Sequence, residues 1–449
     1  MDTNHPITYR DRNCEENHRG LDAVTAYKNH KFVDRQNLPS YAPQNTQEYI
    51  YHLYYMKRHL YFRNVPAYFI ILVILAFITL LYLPVTALSS ANDNRSLNDA
   101  AMRLVRFCMD PRTGLDEQAV ATLVDYVLTS KTNTEHALPE SLDCTGAYYE
   151  FDTRISFPRF MEYSYNSLIP SVVTRPSSLR YSLWGGVRNE PPKLPAQWKP
   201  VASGGAPIVL HGLQHDSNTP DLTTGVYYEY DLKRSLILLN HRGQQVLVSV
   251  SKQTRESNVG EKGFIIGSDS DWNYYYSGKP GSAKAGLGWV KSYIYDYFSV
   301  GVYVASSSDP VMVRTGVFQW IRAGWSGINF VRTGHVIAGL KRFAQNTRII
   351  LESPRLPAPN QMIAAYQWLA NLPSADLKKR YEELLQAQRT LAIKSGKVDR
   401  AEAGDPLPLV GTSKDQMIEE LMLEYVKLAL GKTSPVGKQF TLLFPVPLS

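Results

Sequence analysis

The chain has 449 residues, 44% of them hydrophobic and 20% charged, with a formal net charge of +7. Such a composition supports at least one full core and excludes a disordered chain. The positive excess is thinly spread, nine Lys/Arg against seven Asp/Glu in residues 1–66 and 39 against 34 after residue 88. That leaves no basic stripe of the kind a nucleic acid needs, and the many tyrosines alternate with apolar and acidic residues.

Residues 1–46 are polar and mixed in charge, with Pro39 and Pro43, and read as a flexible arm. Aromatics then gather at Tyr49, Tyr51, Tyr54, Tyr55 and Tyr61 in a stretch that reads as a juxtamembrane helix. From Ala67 to Leu88 the sequence is AYFIILVILAFITLLYLPVTAL, and no charged side chain occurs between Arg63 and Asp93. A helix needs roughly 20 apolar residues to cross a hydrocarbon core, so residues 67–88 are expected to span a lipid bilayer once. Tyr61, Phe62 and Tyr68 at one end and Tyr82 at the other suit the headgroup layers. Lys57, Arg58 and Arg63 precede the span while only Arg95 closely follows it, which keeps the N-terminus in the cytoplasm and exports the rest. A cleaved signal peptide is disfavoured by the 66 residues ahead of the apolar run and by the run's length. Cys14 then lies inside, and Cys108 and Cys144 form the one possible pair outside. A disulfide between them would stabilise the fold by roughly 3–4 kcal/mol; two reduced core cysteines are the alternative.

The exported part reads as α+β, in three stretches. In residues 89–200, Leu97, Ala100, Ala101, Leu104, Val105 and Cys108 recur at helical spacing, Val120, Leu123, Val124 and Val127 do so again, and an aromatic, proline-rich region follows. In residues 201–310 the period changes to two: segments 226–232, 235–240 and 244–252 predict strands, with His241-Arg242-Gly243 as a turn, and 263–267 and 298–305 add more. An antiparallel sheet of four to six strands is expected, with a long glycine-rich loop at 268–289. Residues 311–449 read as helical packing elements, beginning with Val317–Leu351. Leu377, Tyr381, Leu384 and Leu391 form a helix seam, and Ser413 with Gln416 makes a capping-box pattern before a helix that stops at Gly431. The final FTLLFPVPLS reads as a docked tail or edge strand.

Candidate chemistry is sparse. His211 and His215 are the close histidine pair of the exported part and could share a metal ion, although Gly212 and a strand-like approach leave that geometry unassured. Asp269 and Asp271 beside Trp272, Tyr274 and Tyr276 combine carboxylates with aromatic faces, as a sugar-binding cleft does, while Ser-Asp-Ser-Asp is also ordinary turn chemistry. Gly324-Trp325-Ser326-Gly327 lacks the spacing of a nucleophile elbow, and Gly286-Leu-Gly288 matches no nucleotide loop. No cofactor is expected. The pattern suits a single-pass inner-membrane protein with a periplasmic body, a non-catalytic subunit of an envelope assembly or secretion complex that binds other envelope proteins and can be oligomeric. The rival is an anchored periplasmic enzyme or glycan-binding protein using the 268–289 loop.

Overall fold

A computed structural model describes residues 94–437, apart from 186–193, 196, 285–287, 307–308 and 399–410. The expected arm, the 67–88 span and the final tail lie outside the described residues; within them no helix is long and apolar enough to cross a membrane.

The body is α+β, built on a curled antiparallel sheet. Helix α1 (94–109) is followed by α2 (Glu117–Thr129), whose first turn is capped by Asp116 Oδ1 accepting from the Ala119 N–H at 2.8 Å. Their apolar stripes fall where the three-and-four spacing puts them, and Leu104, Leu123, Val124 and Val127 are fully buried.

The sheet has nine strands, more than the four to six expected. In chain order they are β1 (Glu135–Ser141), β2 (Cys144–Thr153), β3 (Leu179–Gly185), β4 (Ile208–Asn218), β6 (Glu229–His241), β7 (Gln244–Gln253), β12 (Tyr293–Ser306), β13 (Met312–Trp325) and β14 (Ile328–Asn329). They run β1-β2-β13-β12-β7-β6-β4-β3, with β14 paired to β13. Every ladder is antiparallel. The β6–β7 hairpin turns at Arg242 and Gly243, both at positive φ (51° and 86°), the twist that two-residue hairpins favour.

The extra strands come from stretches that sequence periodicity misassigns. Residues 317–325 were expected to be helical but complete β13, which is apolar on both faces: Phe318 and Trp320 on one, Val317 and Ile321 on the other. A strand covered on both sides has no clean alternation and imitates a buried helix. The chain then reverses at Ser326 and Gly327 (φ 52° and 75°) into β14, and helix α4 runs only over Thr333–Leu351. Because β13 lies between β2 and β12, the sheet takes strands from all three stretches, 89–200, 201–310 and 311–449, and residues 200 and 310 do not separate cores.

Alternation divides the sheet's two faces. Val246, Val248, Val250, Phe298, Val300, Val302, Phe318 and Trp320 pack under α1 and α2. On the opposite face α4 covers Ala147, Tyr149, Phe151 and Val317 at one end. At the other, Leu236, Leu238, Leu247 and Tyr303 join a large core with α3 (Phe157–Tyr165) and the helices α5 (Pro359–Asn371), α6 (Ser374–Lys394) and α7 (Lys414–Ala429). The 268–289 region is no long loop. It holds a short turn at Asp269–Asp271, strand β9 (Tyr274–Pro280) and the hairpin β10 (Ser282–Lys284) with β11 (Gly288–Val290). Strand β9 closes a small sheet with β5 (Val226–Tyr227) and β8 (Glu261–Ile265).

Helix α7 starts as its capping pattern predicts, Ser413 Oγ accepting from the Gln416 N–H at 3.1 Å, and gives way to Gly431 at φ 72°. It is buried from Met417 to Lys427, which carries Glu419, Glu420, Glu424 and Lys427 into the interior. Each finds a partner there. Glu420 meets Arg180 Nε at 2.9 Å and the Tyr381 hydroxyl at 2.9 Å, Lys427 Nζ meets Glu424 and Asn273 at 2.7 Å each, and Glu419 accepts from the Ser182 N–H at 2.7 Å.

The expected Cys108–Cys144 bridge is absent. Both are buried free thiols held at separate places: Cys108 Sγ lies 3.6 Å from the Val250 carbonyl, and Cys144 Sγ lies 3.4 Å from that of Leu142. Burial pushes the Cys144 thiol up to about 12, away from the thiolate form that reacts.

Candidate binding cleft

The residues singled out from sequence do not assemble into one site. His211 and His215 lie on β4, an extended strand, so four residues of separation put them about 13 Å apart. Each has its own partner, Ser235 Oγ for His211 and Asp231 Oδ1 for His215, at 2.7 Å each. They cannot hold one ion, and no group of metal-ligating side chains occurs among the described residues.

The aromatic set around 268–276 is interior rather than a face for a sugar ring. Trp272 is 1% exposed and donates its indole N–H to Asn346 Oδ1 at 2.6 Å; Tyr274 and Tyr276 are buried. Asp269 receives Arg342 Nε at 2.7 Å and the Tyr274 hydroxyl at 2.9 Å, which fixes α4 to this turn. Asp271 sits in the same turn, and the Lys432 ammonium is over the Trp272 ring. Ser326 occupies a hairpin turn with positive φ.

A different place gathers unused polarity: the face of the sheet between α4 and the large core. Strand alternation aims Gln214, Asp216, Tyr230, Arg234, Ser249, Ser251, Tyr297 and Ser299 into one cavity of about 280 Å³, with Arg175 from the loop after α3. Arg234 is its centre. Its Nη1 donates to Gln214 Oε1 at 2.6 Å, and its Nε and Nη2 donate to Ser249 Oγ at 3.1 and 3.0 Å. Gln214 Nε2 donates in turn to Ser182 Oγ at 2.7 Å and Asp216 Oδ1 at 2.6 Å. Arg175 Nη2 donates to the Tyr165 hydroxyl at 3.0 Å. Ser177 Oγ, also on this wall, is buried with no hydrogen-bond partner among the described residues, a condition that costs free energy unless something fills it.

The floor is electropositive. Burial pushes the Tyr165 phenol up, yet the Arg175 and Arg234 guanidiniums outweigh it and bring the group below the ordinary tyrosine range. Burial raises the Asp216 carboxyl, against its bonds from Gln214 and Ser182 and the attraction of both arginines, and so drives it toward its neutral form; Asp221, also on the lining, accepts from the Thr223 and Thr224 N–H groups.

Next to this floor lies a second, more apolar hollow of about 450 Å³, between the β13–β14 hairpin, the 218–224 loop and α4. Trp325 and Phe330 stack at its rim with centroids 3.7 Å apart, and Leu222 is 56% exposed beside them. Gln319, Ile321, Gly339 and Arg342 line both hollows. Chain comparison gives no relative from which to read a role: no known protein family, curated protein or solved structure matches.

The cleft escaped the sequence reading because its residues are ordinary ones in strands. A signal was present nonetheless. In QQVLVSVSK and FSVGVY one face of the strand is valine and the other is Ser249, Ser251, Ser299 and Gly301, small polar residues where a two-sided core would place large apolar ones.

Proposed function

We propose that the chain is a single-pass inner-membrane protein, anchored by residues 67–88 with its N-terminus in the cytoplasm, whose periplasmic body is a non-catalytic binding subunit of an envelope assembly or secretion complex. The observation that carries the binding role is the make-up of the cleft floor. Its guanidiniums, hydroxyls and amide are groups that hold a ligand, and its carboxyl is tied to Gln214 and Ser182 rather than set beside a nucleophile or a base. The anchoring rests on the uncharged stretch between Arg63 and Asp93 and on the cationic flank before it.

The rival reading, a glycan-binding or hydrolytic site at 268–289, has little support, since Trp272, Tyr274 and Tyr276 are buried and Asp269 is engaged by Arg342. The topology is tested with protease on sealed spheroplasts: the carboxyl-terminal body is digested if it is periplasmic, and its survival overturns the reading. Co-purification of envelope proteins with the full chain in mild detergent is the expected outcome for an assembly subunit, and recovery of the chain alone argues against it.

A further inference from the structure

Resting on the reading of the cleft as a binding site, we infer that it takes a small amphipathic anion, with the acidic head on the Arg175–Arg234 floor and the apolar part running out past Gly339 to Trp325 and Phe330. Three observations carry this. The floor sets the Arg175 and Arg234 guanidiniums beside the Asp216 carboxyl, while Asp221, the other carboxyl on the lining, is taken up by the Thr223 and Thr224 N–H groups at 2.7 and 2.6 Å; Arg234 is itself only 7% exposed, so an incoming carboxylate meets donors already desolvated and oriented. Arg342, the next cation along, is already engaged by Asp269, which confines the free positive character to the inner end. Outward from there the lining becomes Ile321, Val331, Val336, Trp325 and Phe330, with Leu222 facing solvent at the rim.

Gly339 is among the residues that line both hollows. It is an interior residue of α4, and a Cβ built there would find nothing within 4 Å. The absent side chain therefore leaves room on the lining common to both hollows. Nothing in the backbone demands glycine at this position, because its φ lies outside the left-handed region, and in a helix interior glycine is less favourable than alanine. The space left at Gly339 lies on that shared lining. Ser177, buried and unpartnered on the inner wall, is a further hydroxyl donor for the head.

The test uses photo-crosslinking of the full chain in amphipol. The probes are a long-chain aliphatic carboxylic acid bearing a diazirine in its tail and the corresponding alcohol, and adducts are located by peptide mass spectrometry. The acid is expected to label peptides of the β13–β14 hairpin and α4 at least about tenfold more than the alcohol, which is the effect of one charge-assisted hydrogen bond. Arg234→Gln and Arg175→Gln should bring the acid down to the alcohol's level. Gly339→Leu should abolish cleft labelling by both probes while leaving the melting temperature equal or higher, so this variant tests the passage even if loss of an arginine unfolds the body. Equal labelling by acid and alcohol overturns the inference about the head and leaves the binding cleft standing. Absence of cleft adducts with either probe overturns both, as does labelling that Gly339→Leu does not diminish.

Discussion

Arg180→Met tests whether charges carried inward by α7 are held by partners rather than by water. Arg180 and Glu420 are 6% and 4% exposed, and the guanidinium also lies 4.2 Å over the Tyr276 ring. Methionine keeps much of the apolar packing and removes the cation. Breaking a buried pair by removing one partner typically costs about 3–5 kcal/mol, because the other charge stays behind without compensation. Glu420 would keep the Tyr381 hydroxyl at 2.9 Å and Gln416 Nε2 at 3.1 Å, so the lower end, about 3 kcal/mol, is expected. With a urea slope of roughly 1–3 kcal/mol per M, the unfolding midpoint of the full chain, followed by tryptophan fluorescence, should fall by about 1–3 M. Arg180→Met/Glu420→Met should recover most of that loss, since replacing both members of a buried pair by apolar groups is often neutral. A single variant costing under about 1 kcal/mol, or a double variant as damaged as the sum of the singles, would refute the reasoning.

The remaining predictions concern pH, thiols and the hairpin. Burial holds the Glu419 carboxyl well above its ordinary range, with Asp216, Asp415 and Glu420 adding to the effect. A raised folded pKa gives stability that is full below the unfolded value and is lost as pH climbs through the folded one. Glu419→Gln should therefore match the parent near pH 4 and become progressively more stable than it toward pH 8; a pH-independent difference in melting temperature would count against this. Cys108 and Cys144 should both alkylate in denaturant without reductant, and a disulfide-linked peptide pair in the mass spectrum would contradict the free thiols. Gly324→Ala would put its Cβ 2.1 Å from the Ile328 carbonyl oxygen, so it should cost about 1–3 kcal/mol and speed amide exchange at β14; an unchanged midpoint would show that the hairpin relaxes freely.

How far the sequence could be read differs by element. The α1 and α2 stripes, the β6–β7 hairpin and the start of α7 were legible because each is set by local periodicity or by a cap within a few residues. Strand β13 was not, because with apolar residues on both faces its pattern fits a strand and a helix alike. The histidine pair and the 268–276 carboxylates looked like chemistry because polar residues were adjacent in sequence, whereas the cleft draws Arg175, Gln214, Arg234, Ser249 and Ser299 from separate elements. Adjacency along the chain says little about adjacency across a sheet.

The sequence by itself determined the uncharged 22-residue stretch at 67–88, the α+β class of the body and the alternation that gives each central strand a valine face. Those properties are local, set by side-chain transfer energies and backbone periods. Only the tertiary structure decided which strands neighbour one another, that Cys108 and Cys144 stay apart, and that the polar faces of β4, β6, β7 and β12 converge on one floor beneath α4. Pairing order in an antiparallel sheet depends on long-range packing and on closing long connections, and neither leaves a mark within a window of a few residues.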